Sequence, residues 1–254
     1  MAHQAVAAPG NQPSPVTWPL VMLVHRTLLF LVWQAVIAGV HALAGAPEPW
    51  QASIAWWPIA AILTNLCTIG LLRFLARREG LAYVDLVGAK IVREHMGKDL
   101  LLLLVLLPLA GIIAMAPNLG LSHLLFGDME AATMLFVLPL PQWAALAGFL
   151  FPLTIAFAEL PTYFGYVMPR LAVRWGQGWA LGLAALWLAA QHMTLPLALD
   201  GRYILWRLLM FIPFAIMAGL ILRYRPRMMP YMMVVHGLSD LSLAFMVWQA
   251  SAGG

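Results

Sequence analysis

The sequence predicts an all-α fold, a polytopic transmembrane helical bundle of seven spans with an eighth possible. Three observations carry that expectation. Hydrophobic residues make up 63% of the 254 residues and charged residues only 9%, against roughly 25% charged in an ordinary soluble domain. Mean hydropathy is +0.87. The 14 lysines and arginines gather in a few loops between apolar runs, as the positive-inside rule requires. A net charge of +4 spread in that way gives no reason to expect a nucleic-acid partner. The partner that the composition implies is the lipid bilayer. The single cysteine, Cys67, lies in an apolar span and can form no disulfide within the chain.

Residues 1–15 are rich in Ala, Pro and Gln and read as a disordered tail, which leaves 16–254 as one bundle domain. No Lys or Arg precedes the first apolar run, so the first span is expected to be retained rather than cleaved as a signal peptide. That span runs from about Val16 to Ala42 and contains His25 and Arg26, a pair expected to face the bundle or to snorkel to an interface. The second covers about Ile54 to Leu75. The stretch 73–99 carries Arg73, Arg77, Arg78, Lys90, Arg93 and Lys98, which makes it cytoplasmic. The third span is Leu100 to about Pro117. The loop after it, Asn118 to Ala132, has Asp128 and Glu130 but no Lys or Arg, so it faces the other side.

Met134 to Pro141 is too short to cross, since a crossing takes about 20 apolar residues, and Pro139 and Pro141 would break it. It reads as a re-entrant or interfacial piece leading into the fourth span, Gln142 to Met168. Arg170 and Arg174 mark a cytoplasmic end. The fifth span is about Trp179 to Leu199, with a turn at Asp200-Gly-Arg202. The sixth covers Tyr203 to Leu222, followed by Arg223, Arg225 and Arg227. The seventh is about Met229 to Ala250. Every basic cluster then falls on one side.

Glu159 is the only charged residue between Trp143 and Met168. A carboxylate at that depth costs from about 2.5 kcal/mol upward and is a functional hypothesis by default. His192, His236 and Asp240 lie at comparable depth on the following spans. At about 1.5 Å per residue, Glu159 sits roughly 14 Å in from Met168 and His192 roughly 20 Å in from Trp179. On the same rise His236 and Asp240 sit roughly 10 and 16 Å in from Met229. His236 and Asp240 are four apart and share a helix face, so the carboxylate can orient the imidazole. Glu159 suits a general base that activates water, with His192 and His236 orienting that water or stabilising an oxyanion. A glutamate and two histidines could also bind a metal at Glu159, His192 and His236, but a water activated by Glu159 explains the same residues with no cofactor. The chain contains no His-Glu-x-x-His and no Gly-x-Ser-x-Gly motif.

At these residues the sequence resembles the CPBP family, the CAAX protease and bacteriocin-processing family of intramembrane glutamate proteases. The family's first motif, Glu-Glu-x-x-x-Arg continuing Gly-x-x-x-Pro-Arg-Leu, falls on Glu159-Leu-Pro-Thr-Tyr-Phe-Gly165-Tyr-Val-Met-Pro169-Arg170-Leu171. The second, Phe-x-x-x-His, falls on Leu188-Ala-Ala-Gln-His192, and the third, His-x-x-x-Asn/Asp, on His236-Gly-Leu-Ser-Asp240. The likeness spans about 73–248. It implies a helical-bundle peptidase with Glu159 as catalytic base and His192, His236 and Asp240 in its site. The chain departs from the motifs at Leu160, Phe164 and Leu188, and the first two remove a second carboxylate and an arginine.

Three readings follow. The first is an endopeptidase cutting a membrane-associated peptide or a membrane-protein segment, CAAX-type tails included. The second is a catalytically degenerate relative acting as scaffold, chaperone or accessory subunit beside a membrane partner. The third is a transporter using Glu159 as an ion site, which the lack of a visible repeat weakens. The composition fits a bacterial inner membrane.

Overall fold

The computed structural model describes residues 16–88 and 93–252. The expected tail 1–15 and Lys90 lie outside the described residues. Six helical stretches are long and apolar enough to cross a membrane: Thr17–Leu43, Trp57–Arg78, His95–Phe126, Gln142–Trp175, Gly201–Tyr224 and Pro226–Ala252. The chain is an all-α bundle with no strand among the described residues.

Helix α1 (Thr17–Leu43) is followed by the short α2 (Pro49–Ile54) and by α3 (Trp57–Arg78), which packs back along α1. Proline at the first turn of α2 and α3 begins each helix where a missing N–H costs nothing. A short helix α4 (Tyr83–Leu86) lies in the basic connection, and α5 (Arg93–Phe126) is the longest of all. The sequence reading ended this span at Pro117, yet the helix runs on through residues 118–126. Proline is tolerated inside membrane helices, and the stop comes at Gly127, whose φ of +80° no side chain would accept readily. Asp128 then accepts from the amides of Glu130 and Ala131 and starts α6 (Ala131–Met134).

The ambiguous stretch after α6 forms no helix long enough to cross. It is anchored by Trp57 Nε1 donating to the Phe136 carbonyl at 3.0 Å and by the Leu140 amide donating to Ser251 Oγ at 2.9 Å. The next crossing is broken into α7 (Gln142–Ala147), α8 (Leu150–Ala156), a π-helical turn (Pro161–Val167) and α9 (Met168–Trp175). Helix α10 (Gln177–Gln191) has 15 residues, about 22 Å of rise, and so falls short of the 20 or so residues that a crossing needs. A 3-10 turn (His192–Thr194) and an extended run replace the end expected to reach Leu199, because Pro196 disfavours helical backbone just before it. Helices α11 (Gly201–Tyr224) and α12 (Met229–Ala252) complete the chain, joined by a 3-10 turn (Pro226–Met228).

The buried apolar residues form two clusters. One includes Met22, Leu72, Leu160, Tyr163, Leu188 and Met233 and lies toward the basic end. The other includes Phe30, Ile62, Ile155, Leu195, Trp206 and Val247. On each of α1, α3 and α12 the chain passes from one cluster to the other, and the polar residues Arg26, Thr68 and His236 fall in between, while Arg207 on α11 lies within the second cluster between Trp206 and Met210. The site is therefore a thin polar layer between two apolar halves, where effective dielectric is low and every charge needs a partner.

Candidate functional site

The break after α8 places Glu159. The amides of Phe157 and Ala158 bond three residues back, to Thr154 at 3.2 Å and Ile155 at 3.0 Å, which tightens the chain. Pro161 has no N–H to offer the Phe157 carbonyl four residues earlier. The Tyr83 hydroxyl of α4 donates to that carbonyl instead. Thr162 Oγ1 caps the next one, donating to the Ala158 carbonyl at 2.6 Å. The widened π turn follows at once, a distortion frequent at functional sites. Glu159 sits at this junction with 2% of its surface exposed.

One glutamate oxygen, Oε2, accepts from Gln191 Nε2 at 2.5 Å. Gln191 Oε1 in turn accepts from Arg26 Nε at 2.6 Å and from the Tyr163 hydroxyl at 3.3 Å. Arg26 is fully buried, its Nη2 is 3.9 Å from Glu159 Oε2, and its guanidinium lies over the Phe30 ring at 5.3 Å. Beyond it, Thr68 Oγ1 is 3.5 Å from Arg26 Nη1 and 3.0 Å from His25 Nε2. Of the two orientations expected for His25 and Arg26, both side chains take the inward one.

His192 Nε2 is 3.7 Å from Glu159 Oε2 and His236 Nε2 is 3.5 Å from Oε1. Both separations exceed a direct hydrogen bond. The structure thus brings Glu159, His192, His236 and Asp240 together. His192 Nδ1 donates to the Leu188 carbonyl at 2.8 Å, which leaves Nε2 of the neutral ring as an acceptor aimed at the carboxylate, and the ring stacks on Phe211 with centroids 3.6 Å apart. His236 turns Nε2 toward Asp240 Oδ2 at 3.1 Å as well as toward Glu159. Facing two carboxylates, that nitrogen carries a proton. Nδ1 is buried with no hydrogen-bond partner among the described residues.

Arg207 holds the turn that presents His192. Its Nε donates to the His192 carbonyl at 3.1 Å and its Nη2 to the Leu195 carbonyl at 2.6 Å, two groups released when α10 ends. The guanidinium is packed against Phe136 and Phe211, at 4.8 and 5.3 Å.

Of Glu159, His192 and His236, the first and the last have their nearest atoms turned to other partners. His236 gives its nearer nitrogen to Asp240 and Glu159 Oε2 is occupied by an amide, and no group of three or more His, Cys, Asp or Glu among the described residues is placed to hold a metal ion.

Gln191, Tyr163 and Arg207 were not singled out by sequence reasoning. Arg207 carries the same signal as Glu159, a charge inside an apolar span. Gln191 and Tyr163 carry none, because a lone amide beside a histidine or a tyrosine in a membrane helix is ordinary. Compared with known proteins, the chain matches no family model, no curated protein and no solved structure.

Proposed function

We propose that the chain is an intramembrane endopeptidase in which Glu159 activates water to hydrolyse a peptide bond in a membrane-associated peptide or protein. The observation that carries the reading is a buried carboxylate with two imidazole nitrogens at 3.5 and 3.7 Å. At those distances no direct hydrogen bond joins base and histidines, so a water bonded to both would sit beside the pair rather than between them.

In this mechanism Glu159 takes a proton from the water as its oxygen bonds to the scissile carbonyl carbon. Neutral His192, with Nδ1 committed to a carbonyl, accepts at Nε2 and orients the water. His236 turns its Nε2–H from Asp240 Oδ2, 3.1 Å away in the resting site, to the oxyanion. The proton held on Glu159 passes to the amide nitrogen as the C–N bond breaks, releasing a carboxylic acid and an amine, which become carboxylate and ammonium when the acid's proton passes to the amine. The motif resemblance at Glu159, His192, His236 and Asp240 supports the same assignment.

In the proposed topology α10 and its 3-10 turn form a short seventh crossing, and 73–99 faces the cytoplasm of a bacterial inner membrane. The basic residues beside the span ends support that orientation.

A second reading rests on one observation. Gln191 donates to Glu159 at 2.5 Å and Arg26 faces it at 3.9 Å, so the layer would also serve a non-catalytic scaffold or accessory subunit as a structural polar network. Purified protein in liposomes, assayed on quenched soluble and membrane peptides beside Glu159→Gln and His236→Ala, separates the two. Cleavage by wild type that both variants abolish establishes the peptidase. No cleavage across the panel by three equally folded proteins establishes the scaffold.

A further inference from the structure

We propose that Gln191 and Arg26 are positioning residues that dedicate Oε2 of Glu159 to the scaffold and leave Oε1 as its working oxygen. This rests on Glu159 being the base. Arginine can only donate, so the group facing Arg26 Nε at 2.6 Å must be the carbonyl oxygen of Gln191, and the Tyr163 hydroxyl at 3.3 Å reinforces it. The carboxamide orientation is therefore fixed by its surroundings. Its NH2 has to point the other way, onto Glu159 Oε2 at 2.5 Å. Flipping the amide would set NH2 against Arg26 and oxygen against oxygen at Glu159.

The relay crosses three elements that have no sequence proximity: α1 supplies the cation, the end of α10 the amide and the break before the π turn the carboxylate. Gln191 and Arg26 are 1% and 0% exposed, so water does not compete for either bond. Gln191 directly precedes His192, and each reaches Oε2 from the same helix end, at 2.5 and 3.7 Å. Oε1, which the amide does not touch, faces His236 at 3.5 Å. A carboxylate clamped on one oxygen cannot rotate, and a base held in one orientation keeps the near-attack geometry that gives oriented groups their advantage.

The test uses the full chain in liposomes and two readouts. The first is peptide cleavage by wild type, Gln191→Leu, Gln191→Asn, Arg26→Gln and Arg26→Lys. Loss of a supporting partner of this kind lowers activity by about 10–100-fold. The expected result is a fall of that size in kcat with KM within twofold for Gln191→Leu and Arg26→Gln, and partial recovery in Arg26→Lys, which keeps the cation. The second is infrared difference spectroscopy of wild type minus Glu159→Gln, repeated in each background. The splitting between the two carboxylate stretches reports how unequally the oxygens are bonded, and it is expected to change in Gln191→Leu. A Gln191→Leu protein with kcat within twofold of wild type, or with unaltered splitting, overturns the proposal. Should wild type cleave nothing, the peptidase reading fails while the infrared comparison still decides the relay. Gln191→Asn, with a shorter amide, replaces Gln191→Leu in both criteria if the leucine variant does not fold.

Discussion

The sharpest structural test lies at Gly237, the residue after His236. A Cβ built there would stand 2.9 Å from the Pro152 carbonyl oxygen and 3.4 Å from Ala156 Cβ. Helix α12 therefore rests directly on the backbone of α8, and that approach brings His236 to Glu159. An ordinary contact begins near 3.4 Å, so Gly237→Ala forces a retreat of about 0.5 Å between the two helices. The obstacle is backbone, not the flexible end of a side chain, so the helices themselves have to move. The His236–Glu159 separation then opens from 3.5 Å to about 4 Å.

Overpacking of this kind costs about 1–3 kcal/mol. A misplacement of 1 Å can cost about a hundredfold in rate, so half of that corresponds to about tenfold in kcat. Gly182 in α10 is the control, because a Cβ there meets nothing within 4 Å. Gly182→Ala should be neutral or more stable by about 0.5–1 kcal/mol, the usual gain from replacing a helical glycine. Thermal denaturation in one detergent, with cleavage assayed alongside, compares the two. Equal stability and equal activity in both variants would refute the claim that α12 is seated by Gly237.

Two further outcomes follow from the elements around the site. Tyr83→Phe removes the donor to the exposed Phe157 carbonyl that Pro161 cannot serve, at a net cost of about 0.5–1.5 kcal/mol for one hydrogen bond, read by thermal denaturation. Burial pushes the Tyr83 phenol upward while nearby Arg73 opposes this. With the folded value above the unfolded one, the stability it contributes is complete below the unfolded pKa of about 10 and declines as pH rises beyond it. Wild type should accordingly lose stability above that pH more steeply than Tyr83→Phe, and identical alkaline profiles would count against the bond. Arg207→Met removes both donors to the carbonyls of His192 and Leu195, worth about 1.5–3 kcal/mol each for charged hydrogen bonds. Arg207→Lys, lacking the fork, should retain part of the stability but not the placement of His192, so kcat falls in both and unchanged kcat in the methionine variant would refute the role.

Much of the bundle was legible because hydropathy and charge report directly on the bilayer. Spans one, two, six and seven were placed within a few residues of their helices. The failures have local causes. Residues 118–126 read as loop because Pro117 counts as a helix breaker in water, whereas in lipid the backbone has no better partner than the helix. The end of α10 read as helix because Leu195, Leu197 and Leu199 are apolar, yet Pro196 governs the backbone there. Glu159, His192, His236 and Asp240 were visible as ionisable residues at matching depth. Gln191 and Tyr163 were not, since their importance comes from contact with residues on other helices, and no periodicity encodes which helix packs beside which.

The apolar residues Leu160 and Phe164, beside the Glu159 carboxylate in sequence, have a physical reason to be apolar in this arrangement. Both side chains are buried, at 1% and 3% exposure, and belong to the apolar cluster on the basic side of the polar layer. A Cβ at Gly219 would meet the Phe164 ring at 2.8 Å, so that ring fills the space glycine leaves on α11. A carboxylate at 160 or an arginine at 164 would therefore be desolvated among apolar neighbours and would need partners that cluster does not contain. The cation that balances Glu159 comes instead from Arg26 on α1, between the clusters, where Gln191 and Thr68 receive its donors. The cation facing Glu159 is thus remote from it in sequence. For that reason Phe164→Arg should not restore anything lost in Arg26→Gln: the new guanidinium would project into the Gly219 contact. A double variant that regained wild-type stability and cleavage would show that the two positions address the same space, and the assignment of Arg26 would then have to be given up.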